Sequence, residues 1–267
     1  MSLSDVDDVC CVPYGLTLPD TVYKYRAVND YVFKSLQDGQ VWLAKPDTFN
    51  DPFEPERIFS GSTFSDALAR DVRESGVLCL CKRNDNLAMW SYYGNALKGI
   101  AIGYDLAKLV RSLEPVTFTQ NECSPRWRYV YDLAYRDDGL SLIEEMRLLN
   151  TADDRALEYQ KMFATKAAVF GHEEECRVVV PPSPDQPHTW PEHAWSGHGL
   201  YQHATDAVKE IIFGELVTEQ DRQAIMEIMV GREVRFFNAV RDKARFGIRI
   251  EPFGHSEMPN GAKVTHP

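Results

Sequence analysis

Apolar and polar positions along this chain fall into short runs of two kinds, separated by turn residues. Thr21-Val-Tyr-Lys-Tyr-Arg26 reads as a strand, and a helix near 29–38 follows, burying Val32, Phe33 and Leu36 and stopping at Gly39. Residues 40–44 read as a second strand. Lys45 to Glu54 is rich in turn-forming residues and reads as a loop. A helix over 63–74 leads to a strand at 76–82. Asn84-Asp85-Asn86 then offers a cap for a helix carrying Met89, Trp90, Tyr92 and Tyr93, and the next strand is 99–104. Arg126 to Ala134 reads as a strand, and 139–168 as two helices broken near Asn150 to Asp154. Beyond a strand at 176–180, the segment Pro181 to Pro187 holds too many prolines for a sheet interior. The remaining elements are a strand over 206–213, a helix over 218–230 and two strands within 233–250 around Asp242-Lys243. Strands from all parts of the chain alternate with helices, without a clean linker or an internal repeat. The expected fold is α+β in a single domain over 21–255, after an irregular lead-in at 1–20 and before a tail at 256–267.

One run carries chemistry on top of its pattern. In Phe170-Gly-His-Glu-Glu-Glu-Cys-Arg-Val-Val-Val180 the charges alternate where a β-branched strand begins. If the run is extended, Glu173, Glu175 and Arg177 share one face, with Glu173 and Glu175 roughly 6–7 Å apart at Cα. Such a row is either a solvated edge strand or a tuned chemical site.

Composition narrows the classes. The chain has 267 residues, 44% hydrophobic and 26% charged, with no stretch long enough to span a membrane. No secretory signal is visible in Met-Ser-Leu-Ser-Asp, so a cytosolic setting is expected. The formal charge of -11 argues against a broad surface for duplex nucleic acid. Six cysteines include no CxxC pair, and Cys79-Leu-Cys81 on a strand would send both thiols to one face. Buried, reduced thiols without zinc are the expectation. His188, His193, His198 and His203 recur every five residues, a spacing that fits neither one helix face nor a zinc motif, so no metal is expected.

Other candidates stand with two readings each. The Met89-Trp-Ser-Tyr-Tyr-Gly94 cluster is a stacking platform or a set of core aromatics, Trp90 and Tyr93 lying three apart on one helix face. Asn50-Asp51-Pro52 is a rigid polar turn that serves a ligand or its own backbone. Arg26, beside Tyr23 and Tyr25, is a phosphate clamp or a surface arginine. No GxxxxGK[ST], GxGxxG or GxSxG fingerprint occurs.

Taken in order, Val22 to Ala27 with the following helix, Gly39 and second strand is similar to the opening of arginine-type ADP-ribosyltransferases of the cholera-toxin kind. Glu173-Glu174-Glu175 resembles their Glu-x-Glu turn at the start of a late strand. The chain also resembles a bacterial family of unknown function with a Lys-Tyr-Arg start, a Phe-Asn-Asp-Pro-Phe loop, a Met-Trp-Ser-x-Tyr helix and a late Lys...Glu-x-Glu-x-Arg segment. These are Lys24 to Arg26, Phe49 to Phe53, Met89 to Tyr93, and Lys166 with Glu173, Glu175 and Arg177. One departure is that Cys79-Leu-Cys81 stands where the toxins carry Ser-Thr-Ser, so the hydroxyl supporting the catalytic glutamate is absent or comes from elsewhere, Ser91 and Tyr92 being candidates. Arg177 is a second departure, placed to pair with Glu175 and hold it ionised.

The resemblance implies a split, mixed or antiparallel sheet with flanking helices and an activity in which NAD is the substrate. Glu175 would stabilise the sugar cation and Glu173 would position or deprotonate the acceptor. Arg26 would bind the diphosphate, with Tyr25, Asn50, Asp51, Trp90, Ser91, Tyr93 and Arg177 lining the pocket. The acceptor stays open among a protein, a nucleic-acid base, a small molecule and water. A toxin or phage-defence effector is a context common to such transferases. An NAD glycohydrolase, a different hydrolase using the carboxylate pair and a non-catalytic binding or scaffold protein are the competing readings.

Overall fold

Both ends of the first helix are fixed by their flanking residues: the Asn29 side chain accepts a hydrogen bond from Val32 N at 3.1 Å, and Gly39 closes the helix at φ 64°. This is the spacing that the hydrophobic pattern predicts, with Val32 and Leu36 one turn apart and buried. The computed structural model of the chain describes residues 10–11, 18–53, 66–116, 128–139, 145, 155–182 and 196–254.

The elements run β1 (Cys10–Cys11), β2 (Thr21–Ala27), α1 (Asp30–Asp38), β3 (Gln40–Leu43), α2 (Asp66–Glu74), β4 (Gly76–Cys81) and α3 (Leu87–Tyr92). They continue with β5 (Gly99–Asp105), α4 (Leu106–Ser112), β6 (Glu114–Pro115), β7 (Arg128–Asp132), β8 (Ala134–Arg136), α5 (Arg155–Phe163) and β9 (Thr165–Ala167). After a 3-10 turn at Ala168–Glu173 come β10 (Glu175–Val180), β11 (Gly199–Gln202), β12 (Val208–Gly214), α6 (Glu219–Ile228), β13 (Arg235–Asp242) and β14 (Gly247–Pro252). The architecture is α+β around a large mixed sheet. Among the described residues that sheet has nine strands in the order β1-β7-β10-β4-β2-β5-β12-β13-β14, and β3-β11-β6 and β8-β9 form two smaller sheets.

Burial explains the order. All six residues of β10 are buried, as are all but one of β4 and β5, so these strands occupy the middle of the sheet. One face packs Val22, Leu78, Leu80, Ile102, Val178 and Ile211 against α1, α4 and α6. Parallel pairing of β12 with β13 needs a crossover, which α6 supplies. At the start of β4 the backbone comes so close to Gly197 that a Cβ on Gly76 would stand 1.8 Å from the Gly197 carbonyl oxygen. No described helix is long and apolar enough to cross a membrane.

Several expectations need correcting. Cys10–Cys11, placed in an irregular lead-in by the sequence, pairs in parallel with Arg128 and Tyr129 at the edge of the sheet. The solvated-edge reading of the charged run fails, because β10 pairs along its length with β4 on one side and β7 on the other. The helix expected to reach 168 stops at Phe163, and Thr165–Ala167 becomes a strand paired with Ala134–Arg136. There the pairing of Tyr135 with Lys166 overrides the helix propensity of an alanine-rich segment. The short strands β6 and β11 carry no alternation that a sequence reading could detect. The first helix expected within 139–150 lies outside the described residues except for positions 139 and 145, and His188 and His193 lie outside them as well. His198 Nε2 lies 3.7 Å from Glu74, and His203 packs edge-on against Tyr104 with centroids 5.4 Å apart.

Candidate functional site

The sheet opens between β2 and β4. Their antiparallel ladder consists of one pair, Tyr23 with Cys81, and then stops. Beyond it β2 stays bonded to β5, while β4 turns to Ala44, which exchanges two backbone hydrogen bonds of 2.9 Å with Val77. The gap holds a cavity of about 380 Å³ lined by Tyr23 to Arg26 on one side and Val77, Cys79 and Leu80 on the other. Lys24 spans it, its Nζ donating to the Cys79 carbonyl at 2.9 Å. Tyr25 and Arg26 point to opposite faces of one strand, yet both reach the cavity because it lies between strands rather than on a face.

Two carboxylates close one end, but by a route that the alternation did not anticipate. Glu173 is the last residue of the 3-10 turn and Glu174 is left-handed at φ 44°, so Glu173 does not share the face of β10 by pleating. The backbone reversal at Glu174 brings it back beside Glu175. Lys166 then joins the two, its Nζ lying 2.5 Å from Glu173 Oε2 and 3.2 Å from Glu175 Oε2. Arg177, two residues along β10, donates through Nε to Glu175 Oε1 at 2.8 Å and through a terminal nitrogen to the Phe163 carbonyl at 3.2 Å. Both glutamates are about 5% exposed or less.

These charges set one another. Burial pushes the Glu175 carboxyl upward, but Arg177 and then Lys166 outweigh it and hold the group at about 2. Lys166 shows the complement: burial disfavours its charge, while Glu175 and Glu173 raise its pKa above the ordinary value. Lys24 is lowered, chiefly by burial. Burial likewise raises the Cys79 thiol and keeps it protonated. Cys79 thus puts a sulfur, a weaker donor, at the strand position where the resemblance expects a hydroxyl. Ser91 and Tyr92 do not fill it: Ser91 Oγ donates to Leu87 O in its own helix at 2.8 Å, and Tyr92 is exposed. Tyr135 adds support from behind, its hydroxyl accepting from Glu175 N at 2.7 Å.

The loop after β3 folds over this end. Phe49 lies beneath the Arg177 guanidinium, 5.2 Å from its ring centroid, and Asn50 Nδ2 donates to the Tyr93 hydroxyl at 3.2 Å. Tyr93 passes the connection on, donating to Glu173 Oε1 at 2.9 Å. Burial and the Glu173 charge raise this phenol to about 12. Of the residues singled out in the sequence, Arg26, Tyr25, Asn50, Tyr93, Glu173, Glu175 and Arg177 thus meet at one cavity. The other three do not line it. Trp90 is fully buried, donates to Asn84 O at 2.8 Å and packs edge-on against Tyr25 at 5.1 Å, so it carries the wall from behind. Ser91 faces solvent, and buried Asp51 turns Oδ1 to its own loop, accepting from Phe53 N at 2.8 Å.

Lys24, Lys166 and Cys79 also line the cavity, although none was among the candidate site residues. Lys24 was visible as the partner of Arg26 two positions away on a strand. Lys166 carried a signal only in the spacing of the late charged segment, and Cys79 only as a departure from a pattern. Arg26 makes no side-chain hydrogen bond or ion pair among the described residues. The cavity accordingly offers a free guanidinium at one wall and a compensated glutamate pair at another.

Comparison with known families finds similarity to a protein family of unknown function, DUF2971, over residues 89–178. That stretch runs from α3 to β10, so it includes Met89, Tyr93, Lys166 and both glutamates and leaves Lys24, Arg26 and Asn50 outside. No curated protein and no solved structure matches the chain.

Proposed function

We propose that this cleft binds NAD and cleaves its nicotinamide–ribose bond, transferring ADP-ribose to an acceptor. The observation that carries the reading is the meeting of two buried carboxylates, held by one ammonium, with an arginine unpaired among the described residues, in a cavity where the sheet opens. The opening between β2 and β4, the arginine on β2 and the Glu-x-Glu segment leading into β10 also support assigning the sheet to the ADP-ribosyltransferase-like folds.

In the reaction the C1'–N bond breaks with its electron pair leaving on nicotinamide, a bond forms from C1' to the acceptor's nucleophilic atom, and the acceptor's proton is released. Positive charge grows on the ribose as the bond lengthens. Glu175 suits that charge, because a carboxyl held at about 2 is ionised throughout the physiological range and needs no proton transfer to act. Its low pKa also disqualifies it as a base. Glu173 fills that place, poised between the Tyr93 hydroxyl and Lys166, which can share its charge while it takes the acceptor proton. Arg26 is left to bind phosphate through its planar fork.

A specific observation favours a second reading, in which the nucleotide is bound without turnover. Both oxygens of Glu175 already have cationic partners, and Cys79 replaces the expected hydroxyl. Incubating the pure protein with NAD and measuring free nicotinamide, with and without cell lysate, separates the readings. Release that needs lysate is the expected result for a transferase, and release without it identifies a glycohydrolase. Glu175→Gln is expected to reduce release by about a hundredfold or more, the scale on which a transition-state electrostatic contact acts. Undiminished NAD consumption by a folded Glu175→Gln protein overturns the assignment, and NAD binding without release under either condition establishes the second reading.

A further inference from the structure

A second cavity of about 470 Å³ adjoins the first, and the two share Lys24, Arg26 and Trp42 as lining residues. It is bounded by β2, by Tyr31 and Lys34 of α1, by β3 and by Tyr104 of β5. Its charge is unlike that of the first. In the first cavity Lys166 and Arg177 are matched by Glu173 and Glu175. Among the residues lining the second, Lys24, Arg26 and Lys34 are cationic and none is a carboxylate.

Among the described residues none of these cations is neutralised by a contact ion pair. Lys24 donates to a carbonyl, and the side chains of Arg26 and Lys34 make no hydrogen bond or ion pair among the described residues. Asp30 and Asp38 stand one turn either side of Lys34 on α1, but neither lines the cavity. Three cations converging on one hollow is an unusual arrangement for a chain of formal charge -11, since mutual repulsion disfavours it unless an anion completes the site. Two aromatic rings are added to the charge: Tyr31 is 79% exposed and Trp42 57% exposed, both on the lining. Large exposed rings beside a cationic hollow are what a nucleobase requires, because its face stacks while its phosphates find the cations.

We infer that the second cavity is a binding site for a nucleoside polyphosphate, with Arg26, Lys24 and Lys34 holding the phosphates and Tyr31 and Trp42 holding the base. Lys34 thereby becomes a phosphate-binding residue supplied by a helix that contributes nothing to the glutamate pair. The inference rests on the reading above only where the nucleotide is taken to be part of NAD; the recognition chemistry stands without it. Arg26 lies between the two hollows, so a dinucleotide would pass its diphosphate over this residue.

Isothermal titration with ADP, inorganic pyrophosphate and adenosine tests the site. ADP and pyrophosphate are expected to bind, with adenosine weaker by about tenfold or more, the loss expected when charge-assisted contacts are removed. Lys34→Glu is expected to weaken both phosphate-bearing probes by about tenfold or more, and Tyr31→Ala to weaken ADP several-fold while leaving pyrophosphate unchanged. Lys34 and Tyr31 are exposed, so both variants are expected to fold. ADP affinity that ignores Lys34→Glu, or the absence of any ADP and pyrophosphate binding, overturns the inference. Lys34-dependent ADP binding without nicotinamide release from NAD sinks the transferase reading and leaves this one standing. Nicotinamide release with no effect of Lys34→Glu on ADP does the reverse.

Discussion

Arg177 and Glu175 stand two residues apart on β10 and face the same side, with Arg177 Nε 2.8 Å from Glu175 Oε1. Both side chains are buried in the middle of the sheet, 1% and 5% exposed. A charge pair in that position has given up its hydration, so losing Arg177 leaves the buried Glu175 carboxylate with Lys166 as its remaining cationic partner. Arg177→Met is expected to cost about 3–5 kcal/mol of stability, and adding Glu175→Gln should recover part of that loss. Urea unfolding of the single and double variants gives the coupling. Strict additivity would show that the pair is not a unit.

The same geometry sets a pH dependence. The folded-state pKa of Glu175 is about 2 against an ordinary 4.5, so its contribution is fully present above pH 4.5 and lost as pH falls toward 2. Lys166 has the opposite sign: its pKa is raised above the ordinary 10.5, so its contribution holds below that pH and is lost as pH rises through its folded value. Urea midpoints measured across the acid range should therefore fall for the natural chain and fall less for Glu175→Gln. Parallel curves in that window would remove Glu175 as the source.

Neighbouring residues of α3 divide into scaffold and surface. Trp90 is fully buried behind Tyr25, and Trp90→Ala is expected to cost about 3–5 kcal/mol. Ser91 is exposed and bonded only within its helix, and Ser91→Ala should change stability by less than about 0.5 kcal/mol. Nicotinamide release by Ser91→Ala is expected to match the unmodified chain. A large loss there would place Ser91 in the chemistry after all.

The turn between α3 and β5 holds backbone strain. Asn95, Ala96 and Leu97 follow one another at φ 49°, 51° and 66°, a left-handed run that side chains with a Cβ adopt at a cost. Ala96 is exposed and has little packing to lose. Ala96→Gly is expected to stabilise the protein by about 0.5–1 kcal/mol, the relief of strain exceeding the added freedom of the unfolded chain. Thermal and urea unfolding both report it, and a lower midpoint would contradict the assignment of strain.

Much of this protein is decided locally and is legible in its residues. Asn29 and Gly39 bound α1, Asn86 caps α3, and the β-branched and aromatic runs at 21–27, 76–81, 99–105 and 175–180 are strands because their side chains suit a pleated, buried surface. The α+β class follows from their alternation with helices, and the charges at Glu173, Glu175 and Arg177 already marked the site. Pattern could not show that β2 and β4 part after a single pair, since strand spacing depends on what each strand bonds on its other side. Nor could it show that Thr165–Ala167 leaves the helix to carry Lys166 to both glutamates, or that a left-handed Glu174 restores the contact that strand alternation had suggested by another route. Trp90 was a candidate for the ligand on spacing and became a core residue because α3 packs that face inward behind Tyr25. Period and capping act over a few residues and are written in the chain; pairing, charge neutralisation and the position of a cavity depend on segments distant in sequence, and only the folded structure brings those together.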